Sequence, residues 1–465
     1  MQHSAVTPGS PACRRGPDEM VDLLTTPAAW PAILLGRAQA ADPTDLDAAV
    51  RDGAFDGLRR AIRDLGPTAT IAEIASSGLR GRGGAGYPAA DKWRTAVSTE
   101  AERRYIVVNG YGADPAIRTD RFLLERDPYA VIEGAAIAAF AIGATEVIFG
   151  VRAEAIETIQ VLEAAIGAAG DAGFIGFDVL GSGHDIAVSV RPVQGAYMLG
   201  EETVLLKALE GKRGQPEQRP PHPAERGLFA MPTVVHNVQT LAAVPWIVRN
   251  GAEAFARTGA ADSPGTILVQ LRTPAGEGIA EVPLGTPLHE IVALGGKMPA
   301  GRSIKAILVG GPSGGLLPAD LLDTPYTFDT LRAAGAHIGS GSVVVADERT
   351  CIVDLARLLT RFCASEACGK TIPCRIGTRR LVEIADRVID GRPRPTDAAL
   401  MEDLSADIVA SALCDHERLT TLPLASGMRY FRSELDAHLL DSSCPAGVCH
   451  PIVVTAGTIP QGNHD

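Results

Sequence analysis

The chain has 465 residues, 46% of them hydrophobic and 21% charged, with a net charge of −12. That is room for roughly two to four domains of ordinary soluble composition. The acidic balance argues against a broad nucleic-acid surface, so no nucleic-acid partner is expected and basic side chains must act locally, for example at a phosphate.

Residues 1–40 bear Pro and Ser, are irregular, and are expected to form a flexible N-terminal arm. Within them "LLTTPAAWPAILLG" follows two arginines, but Asp18, Glu19 and Asp22 intervene and Pro27 and Pro31 break the run, so it does not read as a signal peptide. From 41 to 250 helix and strand alternate, which predicts an α/β sandwich. "DLDAAVRDGAFDGLRRAIRDL" and "TIAEIASSGL" have helical texture, the second with Thr70 as its cap. "YIVVNG", "EVIFGV" and "DIAVSVRPV" read as strands. "PYAVIEGAAIAAFAIG" reads as a helix starting near Pro128, and "AEAIETIQVLEAAIGAAG" as one ending at glycine. The apolar "GAAIAAFAIGAT" is about half the ~20 residues of a membrane span, so it reads as a buried core helix and no direct membrane insertion is expected. Residues 251–340 change texture, with "GTILVQLRT", "GIAEVPLG" and "IKAILVGGPSGG" as strands and "TPLHEIVALGG" as one short helix, a small mixed β/α domain. Over 341–450 helices dominate: "VDLARLLTRFC", "GTRRLVEIADRVI", "MEDLSADIVASAL" and "GMRYFRSELDAHLL". Residues 451–465 read as a tail.

The first chemical signal is "GLRGRGGAGYPAADKW", residues 78–93. Gly81, Gly83 and Gly86 match G-x-G-x-x-G, but a dinucleotide fingerprint needs a strand before the loop and here a helix precedes it. Clustered glycines still let the backbone approach a ligand and offer several N–H groups. Pro88 suits the first turn of a helix whose N-terminus favours an anion, and Arg82 and Lys92 add positive charge.

The second signal is the cysteine distribution. Cys13 alone precedes residue 350, and the other seven lie between 351 and 449. A disulfide framework would spread them, so the clustering favours metal binding in a reducing, cytoplasmic setting. In "EACGKTIPCRIG", Cys368 and Cys374 bracket a turn with Thr371 midway, in the manner of a loop that wraps a metal cluster. Further on, "AHLLDSSCPAGVCH" places His438, Cys444 and Cys449 together, a set with zinc chemistry if a fourth ligand joins it. Cys363 is the candidate we favour for that place; alternatively it stands in for a missing cluster ligand. A metal-free set of buried thiols remains the plain reading of both groups.

The glycine loop, "GAYMLGEETVLLKALEGKRGQPEQRPPHPAERGLFAMPTVVHNVQT", "LRAAGAHIGSGSVVVADERTC" and "ACGKTIPCRIGTRRLVEI" together resemble the NADH-oxidising flavoprotein subunit of respiratory complex I. That family includes the diaphorase subunits of NAD-linked hydrogenases and formate dehydrogenases. The match runs in order over roughly residues 60–450. The resemblance implies an α/β flavin-binding domain, then a soluble-ligand-binding β-grasp domain, then a helical iron–sulfur-binding domain. It implies FMN held by Gly81, Arg82, Gly83, Gly84, Ala85 and Gly86 with Lys92, and NADH stacked near Tyr87. Asn109, Asp114, Gly200, Glu201, Glu202, Asn237 and Thr240 would line the same pocket. By residue type alone, Glu201 and Glu202 read as an exposed helix start.

Two departures stand out. The family carries acids after the first strand where this chain reads "NGYGADP", with Tyr111 and Gly112 in their places, so the pocket is less negative. The family binds a [4Fe–4S] cluster through C-x-x-C-x-x-C and a fourth cysteine; Cys368, Cys374 and Cys414 match the first, third and fourth, and Thr371 takes the second. Three thiolates suit a [3Fe–4S] cluster, or a four-iron cluster whose odd iron takes water or another side chain. The expected function is hydride transfer from NADH to FMN, then single-electron transfer through the iron–sulfur centre to iron–sulfur partner subunits. The chain would then sit at the inner face of a membrane only through those partners. The alternative is a flavin-binding subunit that has lost its electron exit and serves assembly or regulation.

Overall fold

The computed structural model describes residues 22–449. The β-branched runs form one parallel sheet of β1 (Tyr105–Gly110), β2 (Glu146–Arg152), β3 (Ala187–Val193) and β4 (Thr233–Asn237), ordered β3-β2-β1-β4. The chain moves outward from β1 to β3, then returns to lay β4 on the other side of β1. Strand order therefore reverses between β1 and β4, and the crevice beyond their carboxyl ends is where open α/β sheets bind ligands. The register pairs Asn109 with Asn237 at that end.

The helices around this sheet are α1 (Gly66–Ser76), α2 (Ala89–Ser98), α3 (Thr119–Arg126), α4 (Pro128–Ile142), α5 (Ile156–Asp171), α6 (Glu202–Leu209) and α7 (Val238–Asn250). In α4 all fifteen residues are buried, as the sequence suggests; Asp127 caps its start by accepting from Ala130 N, and Gly143 ends it in the left-handed region. Thr70 is not a cap. Helix α1 begins one turn earlier, and the Thr70 hydroxyl donates back to the Gly66 carbonyl at 2.8 Å.

A second, mixed sheet contains β5 (Thr266–Arg272), β6 (Glu277–Pro283), β7 (Ile304–Val309), β8 (Gly315–Pro318) and β9 (Ser342–Asp347), ordered β8-β7-β9-β5-β6. Only β9 and β5 pair in parallel. The one short helix expected there is α8 (Leu288–Ala293), joined by a single turn of helix at Phe328–Ala333. The C-terminal bundle comprises α9 (Ile352–Ser365), α10 (Thr378–Ile389), α11 (Asp397–Ser411), α12 (Asp415–Leu419), α13 (Leu422–Tyr430) and α14 (Arg432–Leu440). The last predicted helix is thus two: Phe431 leaves the helical region, with φ −123° and ψ 38°.

The loose arm expected over 1–40 is tied down wherever it is described. Residues 22–24 run beside β6, with Leu24 N donating to the Ile279 carbonyl and Ile279 N to that of Asp22, which covers an otherwise open sheet edge. The buried Glu281 carboxylate then accepts the N–H groups of Ile33, Leu34 and Leu35 at 2.8–2.9 Å and the Thr266 hydroxyl at 2.5 Å. Residues 1–21, with Cys13, and the tail from 450 onward lie outside the described residues. No described helix is long and apolar enough to cross a membrane.

Replacing Glu281 with Ala strands two buried donors, Ile33 N and Leu34 N, and the half-buried Leu35 N, each buried one costing about 1–3 kcal/mol. The expected result is an apparent Tm lowered by at least about 5 °C, with early proteolysis near residues 25–40; thermal melts and limited digestion measure both.

Candidate flavin pocket and cysteine centres

The glycine loop lies over the reversal point of the first sheet. Arg82 N donates to the Thr240 hydroxyl at 2.8 Å, and a Cβ at Gly83 would stand 3.4 Å from Cβ of Asn237. Gly84 has φ +104°, and a Cβ there would come within 3.2 Å of the Gly339 backbone; Gly86, at φ +66°, would drive one into the Phe328 ring at 2.6 Å. Only glycine satisfies either position. Among the described residues no acceptor takes the N–H groups of Gly83, Gly84, Ala85 and Gly86. Tyr87 is 51% exposed beside them.

Arg82 does not face this surface, contrary to the expectation that it holds the flavin. Its guanidinium is buried and donates to the carbonyls of Thr266 (3.0 Å), Arg80 (2.8 Å) and Pro264 (2.6 Å). Burial, with Arg80 nearby, pulls its pKa down to about 9, which leaves it charged at neutral pH. Its role is to anchor the loop. Lys92 is the cation left at the site: Nζ reaches Glu202 at 2.6 Å and the Val235 carbonyl at 3.1 Å.

Glu201 and Glu202 are not an exposed helix start. Glu201 caps α6 by accepting from Val204 N, and burial raises its pKa. Burial opposes ionisation of Glu202 too, but Lys92 and Arg219 prevail and hold it below its ordinary value. At the strand ends, Asn109 Nδ2 donates to the Gly200 carbonyl at 3.1 Å, while Asn237 caps α7 and donates to Asp120 at 2.5 Å. Asp120 also accepts from Gln239, and burial raises it to about 6. Sequence reasoning missed both Asp120 and Gln239, although Gln239 lies inside the "VVHNVQT" motif; an isolated acid such as Asp120 carries no pattern. Asp114 is buried against the second sheet's loops, accepting from Ala116 N and the Ser340 hydroxyl. Tyr111 is buried under the Arg152 guanidinium, 4.5 Å from its ring centroid.

Among the described residues seven cysteines are free, and they fall into two centres and one outlier. Cys368 and Cys374 share a hydrogen bond, so one thiol of the pair ionises early and the other late. Cys414, buried, starts α12 nearby and is pushed up to about 11 by burial. Thr371 holds the fourth corner, accepting from Cys374 N at 3.2 Å and donating to Glu417 at 2.5 Å. These thiols adjoin the flavin end of the first sheet: one apolar cluster contains Tyr111, Leu199, Val107 and Cys414, with Cys368 packed on it.

The second centre corrects the expected ligand set. Cys351, His438, Cys444 and Cys449 place their ligand atoms within 4.8 Å of one another. Cys363 is elsewhere, with Sγ against the Pro312 carbonyl. His438 Nδ1–H donates to the Glu434 carbonyl at 2.8 Å, which leaves Nε2 facing Cys351 Sγ at 3.5 Å. Burial opposes ionisation of Cys444, yet the N–H groups of Cys449, Val448 and Ala446, with the Cys449 thiol, bring it down to about 6. Soft thiolates, one neutral imidazole and an oriented second nitrogen are a zinc donor set.

A profile described as the Nuo51 FMN-binding domain matches residues 74–246, and one described as the NADH-ubiquinone oxidoreductase-F iron-sulfur binding region matches 354–438. The chain is 40% identical over 413 residues to the HndC subunit of the NADP-reducing hydrogenase of Solidesulfovibrio fructosivorans, covering 88% of this chain and 83% of the relative. It is 38% identical over 419 residues to an F-type NADH-quinone oxidoreductase subunit of Rhizobium meliloti, covering 89% and 99%. The chain belongs to the F-type NADH-quinone oxidoreductase family. A crystal structure of an NAD+-reducing [NiFe]-hydrogenase in the H2-reduced state matches with TM-score 0.78 at 30% identity, over 90% of this chain and 68% of that one.

As a member of this family, the chain is an FMN- and iron–sulfur-binding redox subunit. The N–H groups of Gly83–Gly86 have no protein acceptor among the described residues, whereas the side-chain amides of Asn109 and Asn237 donate to the Gly200 carbonyl and to Asp120. Changing Gly84 to Ala forces a left-handed backbone on a residue with a Cβ, worth roughly 1–2 kcal/mol. FMN affinity, followed by fluorescence quenching, should fall about tenfold while far-UV circular dichroism is retained.

Proposed function

We propose that this chain oxidises NADH at the β1–β4 crevice and passes the electrons through the Cys368–Cys374–Cys414 centre to an iron–sulfur partner subunit of a larger redox complex. FMN, when bound, supplies the conversion between a two-electron hydride donor and one-electron carriers. The observation that carries this reading is the apolar cluster joining Tyr111 and Leu199 at the flavin end to Cys414 and Cys368. It keeps water from the space between two redox centres and sets them side by side. The loop N–H groups and Lys92 receive the phosphate. Tyr87, exposed at the loop's tip, offers an aromatic face to the nicotinamide nucleotide. Glu202, held ionised by Lys92 and Arg219, fixes the entrance of α6. We read the second sheet as a β-grasp unit that braces the loop through Gly339 and Phe328. Any attachment to a membrane would be through partner subunits.

The purified holoprotein should show a flavin spectrum that NADH bleaches, and ferricyanide should then be reduced at many turnovers per minute. A colourless protein with no NADH-dependent reduction overturns the reading.

We assign zinc to Cys351, His438, Cys444 and Cys449, where it would fasten the chain's C-terminal segment to the β9–α9 junction. Elemental analysis should give about one zinc per chain. Cys351→Ser and His438→Ala should each abolish it with iron unchanged, whereas Cys363→Ala should keep it.

A further inference from the structure

The corner of the iron–sulfur centre that lacks a cysteine is not empty of donors. Thr371 occupies it, and its hydroxyl donates to Oε1 of Glu417 at 2.5 Å. Glu417 stands three residues after Cys414, on the first turn of α12, and is 1% exposed. Its other oxygen accepts from Leu413 N at 2.9 Å. Its Thr371 partner also accepts from Cys374 N at 3.2 Å, so the carboxylate is tied to the cysteine loop as well as to the turn that Cys414 starts. Among the described residues no Lys, Arg or His nitrogen comes within ion-pair distance of it. A buried carboxylate lacking a cation is costly. An iron ion in the same space would give its oxygen a cationic partner to coordinate.

A neutral threonine hydroxyl is a weak iron ligand, whereas a carboxylate oxygen is an anionic donor of the kind hard cations accept. We propose that Glu417 is the fourth protein ligand of a [4Fe–4S] cluster in this chain, with Cys368, Cys374 and Cys414 supplying the three thiolates and Thr371 steering the carboxylate by its hydrogen bond. The proposal rests on the iron–sulfur reading given above and adds the identity of the donor on the odd iron. Cluster assembly involves no other change in this chain than loss of the three thiol protons to solvent.

The test is iron and sulfide content together with Mössbauer spectra of the anaerobically purified full chain. The expected wild type holds about four irons, one of them with an oxygen-ligated signature distinct from the rest. Glu417→Gln, which keeps the shape but removes the anionic donor, should lower the count to about three with the spectrum of a three-iron cluster. Adding Thr371→Cys to Glu417→Gln should restore four irons, all sulfur-ligated. A wild type with three irons, or a Glu417→Gln variant that keeps the oxygen-ligated iron, overturns the proposal while leaving the cluster in place. A wild type without iron overturns the proposal and the iron–sulfur reading together. Should Glu417→Gln fail to fold, the wild-type Mössbauer spectrum decides alone, since a fourth iron without oxygen ligation excludes Glu417.

Discussion

The pocket depends on one buried cation. Arg82 sits within the glycine loop, yet its guanidinium points into the protein and has no carboxylate partner there. Burying a charge in this way is expensive unless every donor finds an acceptor, and three carbonyls provide them, one at the start of the second sheet (Thr266) and one just before it (Pro264). Those bonds fix the loop's path, and among the described residues the N–H groups that follow have no protein acceptor. The same bonds join the first sheet to the second, as do Gly84 against Gly339 and Gly86 against Phe328. The glycine loop is therefore held from both sheets, and its motif alone would not fix its path.

Much of this was legible in the chain. Periodicity placed β1, β2, β3, α4 and α5, because each has an unbroken apolar run or stripe whose period matches its element. Motif order placed Asn109, Gly200, Asn237 and Thr240 together at one crevice. What sequence could not show was direction. Arg82 and its neighbouring glycines share a motif, but a long side chain can leave a loop on either face, and only the carbonyls at 264 and 266 decide which. The arm over residues 22–40 misled for a related reason. Its Pro-rich texture carries no period, and it is ordered by an acid nearly 250 positions away in Glu281.

The second cysteine centre teaches the same lesson about distance along a helix. Cys351 caps α9 and Cys363 lies near its other end. At about 1.5 Å per residue the two are on the order of 18 Å apart, so a single ion can use only one. The sequence reading favours Cys363. The bundle decides otherwise, because α14 packs its His438 against the start of α9, where Glu434 also accepts from Ile352 N.

The two departures from the family pattern act at opposite ends of one electron path, and the charge at each end has been rearranged. At the flavin end, Tyr111 and Gly112 replace acids, and Arg152 now lies over the Tyr111 ring and donates to the Gly112 carbonyl at 2.9 Å. A cation beside a pocket with fewer anions stabilises any electron-rich species bound nearby, so this pocket should accept electrons more readily than one lined by carboxylates. At the cysteine end, a neutral Thr371 has taken a thiolate's position, but Glu417 restores one negative charge within hydrogen-bonding reach of it. Loss of function would leave these positions free to drift independently. Instead the hydroxyl and the carboxylate are paired, and the aromatic ring is paired with a guanidinium. Each substitution is met by a complementary group contributed from another element, as expected where the local electrostatics still carry a task.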